Sequence, residues 1–428
     1  MNLVNGRFVD HAECVRVLDE LESHIHKTLL KDGLNPQVVI EACDKLAKII
    51  DQQLNLDLLF ELGIPVDLAR SYLIEAKNKL SKEFLEFKLK NELGENFSKT
   101  RKYIPPFQQK EVIEKYAPLG VLFHITAGNV DALPVMSAIE GLLAGNINIL
   151  KLPREEGGIS ARILMELFKI EPALAEYVYV FDFSSNDIPA MKKLVGLADA
   201  VVVWGGDNVV QTIRQTVHPN TKIIEWGHKL SFSYITKKGI TDEKLKELAQ
   251  NICETNQLLC SSCQGIFIDT KEMEDIYHFS ERFLPILEKT SENFQRELGI
   301  GIQSQVTFQL YNNSIESLFS DFKIYRSENC SITAYSDMKI EPSIKFRNCW
   351  VKRLPRQKLL ETLRPYKNHL QTVALICDEM EKEDLVEMFW KTGVVRVTNG
   401  LNMSSSYAGA AHDGEYPLRR YTKIVSIE

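Results

Sequence analysis

Residues 118–154 read PLGVLFHITAGNVDALPVMSAIEGLLAGNINILKLPR, and this stretch decides the fold. Two short apolar runs, 120–125 and 147–152, enclose a segment at 132–143 whose apolar residues recur with helical spacing. The alternation continues with strand-like runs at 177–182 and 199–204 and helical patterns at 158–169, 186–196 and 207–216. Strands that alternate with helices predict right-handed βαβ units and a parallel sheet. The sequence therefore predicts an α/β fold, in which a ligand binds beyond the carboxyl ends of the strands.

The segments on either side extend this prediction. Residues 11–103 carry apolar residues at three- and four-residue spacing, so a helical layer is expected ahead of the sheet. A second α/β unit is expected after it, with helices at 241–254 and 271–290 and strands at 230–236, 264–268, 306–310, 322–326, 372–377 and 394–398. The last segment, 402–428, is rich in Ser, Gly and Tyr and ends in the strand-like run TKIVSI.

The bulk composition is that of a globular protein. The chain has 428 residues, of which 44% are hydrophobic and 25% charged, so two or three domains with a large core are expected. A net charge of −7 argues against nucleic-acid binding, which usually requires a basic face. Eight scattered cysteines, a first segment unlike a signal peptide and the lack of an apolar run of ~20 residues predict a cytoplasmic protein with free thiols and no membrane span.

Two cysteines lie in the segment NQLLCSSCQ, residues 256–264, between a predicted helix and a predicted strand. A thiolate is a strong nucleophile when its pKa is lowered, so Cys260 is a candidate nucleophile. The CxxC spacing of Cys260 and Cys263 also occurs in redox pairs and in zinc sites. No second CxxC accompanies it, so no metal site is predicted. Two small buried thiols are the remaining interpretation.

Candidate nucleotide-binding residues follow two other predicted strands. Lys151 ends its strand and Arg154 lies just beyond it, a cationic pair that suits a ribose or a phosphate, although a plain surface lysine fits the pattern too. Gly205, Gly206 and Asp207 end a strand and open a helix. Paired glycines allow close approach of the backbone, and a helix N-terminus attracts phosphate. The sequence contains neither GxGxxG nor a Walker A motif, so this turn alone is a weak indication.

Two polar residues at strand ends suggest catalytic roles. Glu225 ends the strand KIIEW, and Asn129 follows the strand GVLF. A carboxylate so placed can act as a general base, and an Asn amide can donate a hydrogen bond to a developing oxyanion. A helix cap or a turn residue would explain each of them equally well.

The order and spacing of these motifs together resemble the aldehyde dehydrogenases. In that family a Pro-x-Gly-Val strand leads to a Trp-Asn motif, a helix and Gly-Asn-x-x-x-x-Lys-Pro, and residues 118–153 are similar to this stretch. VVVWGGDNVV resembles the family's Phe-Thr-Gly-Ser turn, EWGHK its Glu-Leu-Gly-Gly-Lys, and NQLLCSSCQGIFI its Gly-Gln-x-Cys segment. Glu225 and Cys260 are 35 positions apart, about the separation that the family requires. The similarity runs from about 118 to 270 and returns weakly at 394–428.

Within that superfamily the chain is most similar to the long-chain acyl-CoA (acyl-protein thioester) reductases of bacterial bioluminescence. The helical N-terminus, Ala-Gly-Asn-Val in place of Trp-Asn, the Cys-Ser-Ser run and the late His412-Asp413-Gly414 fit that branch. The resemblance implies an aldehyde-dehydrogenase-like fold in three parts. These are a helical region with a Rossmann-type NAD(P)-binding domain over 1–228, a catalytic thiol domain over 229–401, and a segment over 402–428 that supplies an oligomerisation strand.

The resemblance also implies roles for individual residues. Cys260 would be the nucleophile, Glu225 would stand at the general-base position, and Asn129 would match the oxyanion-hole Asn. Lys151 would bind the adenosine ribose, and Arg154 stands where many NAD-using members have an acid, which favours NADPH. The residues implied near the nicotinamide or the pyrophosphate are Gly205, Gly206 and Asp207.

The chain departs from the family pattern at several positions. Leu258 and Leu259 replace the Gly-Gln that precedes the catalytic Cys, and His228 replaces the second Gly of Glu-Leu-Gly-Gly-Lys. No convincing Glu-x-Phe-Gly-Pro motif is present, so the second ribose contact stays unassigned.

The function implied is NADPH-dependent reduction of a fatty acyl thioester, acyl-CoA or acyl-protein, to the aldehyde through an acyl-enzyme on Cys260. An acyl-protein synthetase partner and a homo-oligomer are implied as well. Oxidation of an aldehyde with NAD is one alternative, with Glu225 activating water. A non-redox acyl-transfer or thioesterase subunit is an alternative from another class, and a thiol-redox protein that uses Cys260 and Cys263 is a third.

Overall fold

The computed structural model describes residues 1–53, 74–95, 97, 100–126, 133–153, 157–294 and 298–428. The chain divides into two compact units. Unit 1 consists of Met1–Gly227 and Tyr407–Glu428, and unit 2 of His228–Ser406. The predicted divisions, after residues 228 and 401, lie near these boundaries, and the predicted third part falls largely within unit 1.

The secondary structure follows in chain order. The described strands are β1 (Asn2–Val4), β2 (Arg7–Val9), β3 (Arg101–Tyr103), β4 (Val112–Pro118), β5 (Val121–Ile125), β6 (Ile147–Lys151), β7 (Val178–Phe181), β8 (Ala200–Trp204), β9 (Lys222–Trp226), β10 (Leu230–Ile235), β11 (Cys263–Ile268), β12 (Phe322–Arg326), β13 (Ser331–Tyr335), β14 (Asn348–Arg353), β15 (Leu370–Ile376), β16 (Arg396–Thr398) and β17 (Thr422–Ile427). The described α-helices are α1 (His11–Leu29), α2 (Pro36–Gln53), α3 (Lys82–Leu93), α4 (Leu133–Leu143), α5 (Ile159–Ile170), α6 (Ile188–Leu197), α7 (Asp207–Thr216), α8 (Asp242–Thr255), α9 (Met273–Ser291), α10 (Ile300–Glu316), α11 (Leu359–Leu363), α12 (Glu379–Thr392) and α13 (Pro417–Arg420). Residues 74–80 are helical too.

Unit 1 contains the predicted parallel sheet. Its described strands run in the order β2-β1-β7-β6-β5-β8-β9, and the five from β7 to β9 are parallel. Strands β5 to β8 are buried along their whole length, because helices cover both faces of such a sheet. This two-sided burial explains why these strands are nearly continuous apolar runs in the sequence.

The strand order of unit 1 reverses between β5 and β8. From β5 the chain continues to β6 and β7 on one side, and then returns to place β8 and β9 on the other. Ligands of open α/β sheets bind beyond the carboxyl ends of the strands at such a reversal. The crevice predicted for the nucleotide is therefore at the ends of β5 and β8.

Unit 2 contains a second sheet, in the order β12-β13-β14-β11-β10-β15-β16 over the described strands. Neighbouring strands of this sheet are parallel, except that β12 is antiparallel to β13. Two apolar clusters cover the two faces, one including Ile266 and Phe283 and the other Phe267 and Phe389. Strands β10, β11 and β15 are neighbours at the centre, and their amino ends carry the residues that surround Cys260.

Three features of unit 1 and unit 2 differ from the sequence prediction. Residues 306–310, predicted as a strand, lie inside helix α10, because periodicity cannot separate a short apolar run in a strand from one in a helix. The predicted helical region 11–103 ends in strand β3, which pairs antiparallel with β4. Strands β1, β2, β4, β13 and β14 were not predicted. The part of the helical prediction at 54–73 lies outside the described residues.

A small third sheet completes unit 1. It joins β17, β4 and β3 in that order, so the strand-like run TKIVSI pairs antiparallel with residues 113–118. Strand β17 occupies one edge of this sheet, and Ile424 and Ile427 on it are exposed. Within the described residues, no helix combines the length and the apolar character needed to cross a lipid bilayer.

Candidate active site

Lys151 lies at the carboxyl end of β6, as predicted. The residue is buried, and its Nζ donates a hydrogen bond to Ser185 Oγ at 2.8 Å. Strand β6 lies beside β5, so Lys151 is one strand away from the reversal of the sheet. A buried ammonium in this position can donate hydrogen bonds to ribose hydroxyls or to a phosphate.

The Gly-Gly turn lies at the reversal itself. Gly205 follows the last residue of β8, and Gly206 is the N-cap of α7, with no hydrogen bond from a capping side chain. A side chain at Gly205 would bring its Cβ within 3.3 Å of Val209 Cβ, so the turn is close-packed against the helix. Asp207 begins α7. A helix N-terminus without a side-chain cap leaves backbone N–H groups available to an anionic ligand.

An aromatic cluster supports the ends of β8 and β9. The rings of Trp204 and Trp226 stack with centroids 5.3 Å apart, and the His412 ring packs edge-on against both, at 5.0 and 4.9 Å. Trp204 also donates its indole N–H to Ser137 Oγ at 3.1 Å. His412 was noted in the sequence only as part of His412-Asp413-Gly414. Its ring packs against Trp204, the residue before Gly205, and against Trp226, the last residue of β9.

Glu225 makes a bidentate ion pair. Arg214 Nε and NH2 donate to its two carboxylate oxygens at 2.5 and 2.7 Å. The backbone carbonyl of Glu225 accepts a hydrogen bond from Arg420 NH1, whose guanidinium also lies 4.8 Å from the centroid of the Trp226 ring. The Arg214 guanidinium thus occupies both carboxylate oxygens of Glu225.

Two predicted site residues cannot be placed. Asn129 and Arg154 lie outside the described residues, which end at 126 and resume at 133, and end at 153 and resume at 157. Both remain predictions. The residues that do lie together at the carboxyl edge of the unit 1 sheet are Lys151, Gly205, Gly206, Asp207 and Glu225.

Cys260 is the exposed thiol of the chain. All eight cysteines lie in the described part, and the other seven are buried. Cys260 belongs to the segment 256–262, here called the thiol loop, which connects α8 to the amino end of β11. An exposed thiol is accessible to an electrophile, whereas a buried thiol is protected from it.

Two polar side chains from neighbouring strands contact Cys260. Gln371, near the start of β15, donates its side-chain amide to Cys260 Sγ at 3.4 Å. Ser231, near the start of β10, donates its hydroxyl to the Cys260 carbonyl at 2.7 Å. The first contact places an amide donor against the sulfur. The second fixes the backbone that carries it.

Cys263 has a different environment from Cys260. It lies in β11 with no exposed surface, and its thiol lies 3.3 Å from the Gly265 carbonyl. Burial raises the pKa of the Cys263 thiol well above its usual range. The two cysteines of the CxxC are both free, one in the loop and one in the core. A buried thiol with a raised pKa is a poor partner in thiol–disulfide exchange.

The first two residues of the thiol loop have an unusual backbone conformation. Asn256 and Gln257 both have positive φ, at 46° and 60°. For a non-glycine residue this costs roughly 1–2 kcal/mol, least for Asn. The Gln257 amide is buried and donates to the Cys263 carbonyl at 2.9 Å, and Gln264 donates back to the Gln257 carbonyl at 3.0 Å. These bonds join the start of the thiol loop to the first residues of β11 and so fix the two ends of the loop.

Sequence reasoning missed the two side chains that contact the thiol. Gln371 lies 111 positions after Cys260, in an ordinary strand-like run, and no local motif marks it. Ser231 carries no signal either, apart from its position at the start of a predicted strand. Contacts between distant strands depend on the order of strands in the sheet, which a single sequence does not reveal.

Unit 1 carries the described residues predicted to bind a nucleotide, and unit 2 carries the exposed Cys260 thiol. Among the described residues, no group of three or more His, Cys, Asp or Glu side chains is arranged to hold a metal ion. The predicted chemistry thus rests on a thiol, amide and hydroxyl donors, and the strand ends of the nucleotide-binding sheet.

Comparison with protein families identifies one match over most of the chain. Residues 40–424 match the family described as acyl-CoA reductase (LuxC). The long-chain acyl-protein thioester reductase of Vibrio harveyi is 24% identical over 327 residues, 75% of this chain and 66% of the relative. The enzyme of the same name from Aliivibrio fischeri is 24% identical over 328 residues, 73% of this chain and 65% of the relative. The match therefore spans just under two thirds of the length of these relatives.

Solved structures confirm the predicted fold. An NAD-dependent aldehyde dehydrogenase from Sinorhizobium meliloti superimposes with a TM-score of 0.77 at 12% identity, covering 100% of this chain and 94% of that one. A glyceraldehyde-3-phosphate dehydrogenase from Methanocaldococcus jannaschii, complexed with NADP, gives 0.71 at 13% identity and covers 98% and 95%. The chain thus has the fold of the aldehyde dehydrogenases, as its motifs predicted.

Proposed function

Because the chain belongs to the acyl-CoA reductase (LuxC) family, we propose that it reduces a long-chain acyl thioester to the aldehyde with NADPH, through an acyl-enzyme on Cys260. The observation that carries the proposal is the exposed Cys260 thiol, which accepts a hydrogen bond from Gln371. The relatives' printed names describe reduction of an acyl-protein thioester, which supports the same substrate class here.

The nucleophile of the covalent step and the two side chains that contact it belong to unit 2. The Cys260 thiolate attacks the thioester carbonyl, a new S–C bond forms, and the donor leaves as its thiol with the proton that Cys260 gave up. The Gln371 amide favours the thiolate before attack, and the Ser231 hydroxyl holds the Cys260 backbone in place. The Asn129 amide and the Cys260 N–H are the donors proposed for the oxyanion of the tetrahedral intermediate.

The residues of unit 1 fit a dinucleotide. Lys151 at the end of β6 suits a ribose, and the Gly205-Gly206 turn with the uncapped start of α7 suits the pyrophosphate. When bound, the nicotinamide supplies the hydride that converts the acyl group to the aldehyde level. Arg154 is proposed to meet a 2′-phosphate and so to favour NADPH over NADH.

The pairing of Glu225 with Arg214 favours reduction over aldehyde oxidation. Oxidation needs a base that activates water to hydrolyse the acyl-enzyme, and Glu225 is the candidate. Both of its oxygens accept hydrogen bonds from Arg214. Reduction of a thioester needs no such water, so the ion pair of Glu225 with Arg214 is compatible with the proposed reduction.

The partners follow from the substrate and from one exposed strand. An acyl-protein or acyl-CoA thioester is the proposed donor, and an acyl-protein synthetase the proposed supplier. Strand β17 lies at an edge of its sheet with Ile424 and Ile427 exposed. Because an exposed edge strand can pair with another chain, it supports the predicted homo-oligomer.

Parallel turnover assays on one preparation test the proposal. The rate at which NADPH and a long-chain acyl-CoA yield the aldehyde should exceed the rate at which NAD and that aldehyde yield the acid. Incubation with labelled acyl-CoA alone should leave one label per chain, on the peptide that contains Cys260. Faster aldehyde oxidation would favour the dehydrogenase alternative. Acyl labelling without any thermal shift on adding NADPH would favour the non-redox acyl-transfer alternative.

A further inference from the structure

We propose that Arg347 is a positioning residue, which fixes the thiol loop through Asn256 and so sets the orientation of Cys260. The inference deepens the proposed function and rests on it for the role of Cys260. Arg347 lies in the connection between β13 and β14, far from the thiol loop in sequence. No motif marks it in the sequence.

Arg347 is a buried cation that joins three elements of unit 2. Only 1% of its surface is exposed. Its guanidinium donates from Nε to Asn256 Oδ1 at 3.2 Å, from NH1 to the Ser291 carbonyl at 3.2 Å, and from NH2 to the Phe294 carbonyl at 2.9 Å. The first of these bonds ends on the thiol loop, and the second on the last residue of α9.

The backbone beside Arg347 makes a second connection to the same residue. Phe346 donates its backbone N–H to the Asn256 carbonyl at 2.9 Å. Asn256 is thus held at its side chain by one residue and at its backbone by the preceding one. It is the C-cap of α8, with a left-handed backbone, and it stands four positions before Cys260.

The other flank of the thiol loop is tied to the same connection. Ser343 donates its backbone N–H and its hydroxyl to Gln264 Oε1, at 3.2 and 2.9 Å. Gln264 stands four positions after Cys260. The segment 343–347 therefore holds the thiol loop on both sides of the thiol.

Backbone strain is concentrated where these two segments meet. Among the described non-glycine residues with positive φ, five lie here: Asn256, Gln257, Lys345, Phe346 and Arg347. Left-handed conformations of such residues persist only where the surroundings enforce them, and they cluster at functional sites. The bonds of Arg347 to Asn256 and to the two carbonyls supply that enforcement.

A role as a simple helix cap is the competing explanation. Arginine often donates to the last carbonyls of a helix, and the bond to Ser291 is of this kind. A cap would affect stability alone. A positioning residue also affects the reactivity of Cys260. The two explanations therefore predict different effects on Cys260 reactivity when the Arg347–Asn256 hydrogen bond is removed.

Substitutions at both ends of that bond test the proposal. Arg347→Met removes the hydrogen bonds to Asn256, Ser291 and Phe294, and Arg347→Lys keeps the charge. Asn256→Gly keeps the left-handed backbone and removes the acceptor, whereas Asn256→Asp keeps both. Arg364→Met is the matched control, because Arg364 donates to the Lys391 carbonyl near the end of α12, away from the thiol loop.

The readouts are the rate of Cys260 alkylation by iodoacetamide, the single-turnover rate of acylation by acyl-CoA, the Kd for NADPH and the thermal midpoint. Arg347→Met and Asn256→Gly should slow alkylation and acylation by about 10- to 100-fold, as a misplacement near 1 Å would. The double variant should be no slower than the slower single one. Arg347→Lys and Asn256→Asp should recover part of the rate, and Arg364→Met should match the unaltered protein. The Kd for NADPH should stay constant.

The results separate this inference from the proposed function. If Arg347→Met does not fold, Asn256→Gly decides. A folded Asn256→Gly variant with unaltered alkylation and acylation rates would overturn the positioning role. If the unaltered protein takes up no acyl label while Cys260 alkylation still depends on Arg347 and Asn256, the proposed function fails and the positioning role stands.

Discussion

The thiol loop of unit 2 and the strand ends of unit 1 are built in different ways. Lys151 and Gly205 occupy the ends of fully buried parallel strands, so the sheet itself decides where they lie. Cys260 lies in a loop whose shape depends on side-chain hydrogen bonds from Ser231 and Gln371 and on two left-handed residues at its start. The residues predicted to bind the cofactor thus rest on regular structure, while the proposed nucleophile is held by specific side-chain contacts.

This difference determines how each region should respond to substitution. A strand end is supported by a whole apolar core, so a single substitution there should change binding affinity or the free energy of unfolding only slightly. A loop held by a few polar contacts should lose its alignment when one contact is removed.

The largest effect should separate the two cysteines of the CxxC. Cys260→Ala should abolish acyl labelling and lower thioester reduction by roughly 1,000-fold or more, because the nucleophile is lost. Cys263→Ala removes a buried thiol from β11 and should retain most of the activity, with stability lowered by about 1 kcal/mol. Labelling, turnover and urea unfolding of both variants measure this contrast. Equal loss of activity in the two variants would restore the thiol-redox alternative.

A smaller effect should follow from loss of the donor to the thiol. Gln371→Leu keeps the size of the side chain and removes its amide, so Cys260 alkylation and acylation at neutral pH should slow by about 10-fold. Gln303→Leu makes the same change on an exposed face of α10 and serves as the control. Stopped-flow acylation of the two variants gives the comparison. A Gln371→Leu rate equal to that of the control would remove Gln371 from the mechanism.

The smallest effect on activity, visible in stability alone, should come from His124 in β5. This imidazole is fully buried between Ser137 and Asn148, and burial lowers its pKa to about 4. The unfolded chain, with an ordinary His pKa, binds more protons between about pH 4 and 6.5, so acidification in this window destabilises the fold. From pH 7 to pH 5 the free energy of unfolding should fall by about 2 kcal/mol on account of this group.

Urea unfolding at the two pH values checks the effect. His124→Asn should abolish that part of the pH dependence, whatever it does to stability at pH 7. His218→Asn, at an exposed position, should leave the dependence as it is. A pH dependence that His124→Asn does not change would show that other groups, such as His412, whose pKa burial also lowers, are responsible.

The same contrast explains what the sequence could predict. The buried strands β5 to β8 of unit 1 were predicted to within a residue or two, because burial on both faces leaves a nearly continuous apolar run in each. Lys151 and Gly205 could be located for the same reason, since each directly ends such a run. Their predicted roles in binding rest on the resemblance to the aldehyde dehydrogenases.

The rest of the site could not be read in this way. Gln371, Ser231 and Arg347 reach the thiol loop only because β10, β11 and β15 are neighbours and because the β13–β14 connection folds back onto the end of α8. These are contacts between segments up to 111 positions apart. The strand predicted at 306–310 failed for a local reason, since a short apolar run fits either helix or strand.

The division of the chain has a consequence for its synthesis. Unit 2 is one continuous stretch, His228–Ser406, whereas unit 1 is interrupted and resumes at Tyr407. The Asn91 amide donates to the Gly409 carbonyl at 2.9 Å, and β4 pairs with β17. A ribosome delivers the chain from its N-terminus at roughly 5–20 residues per second. Unit 2 therefore leaves the ribosome complete while unit 1 still lacks β17, and the two units are completed in the reverse of the order in which their synthesis begins.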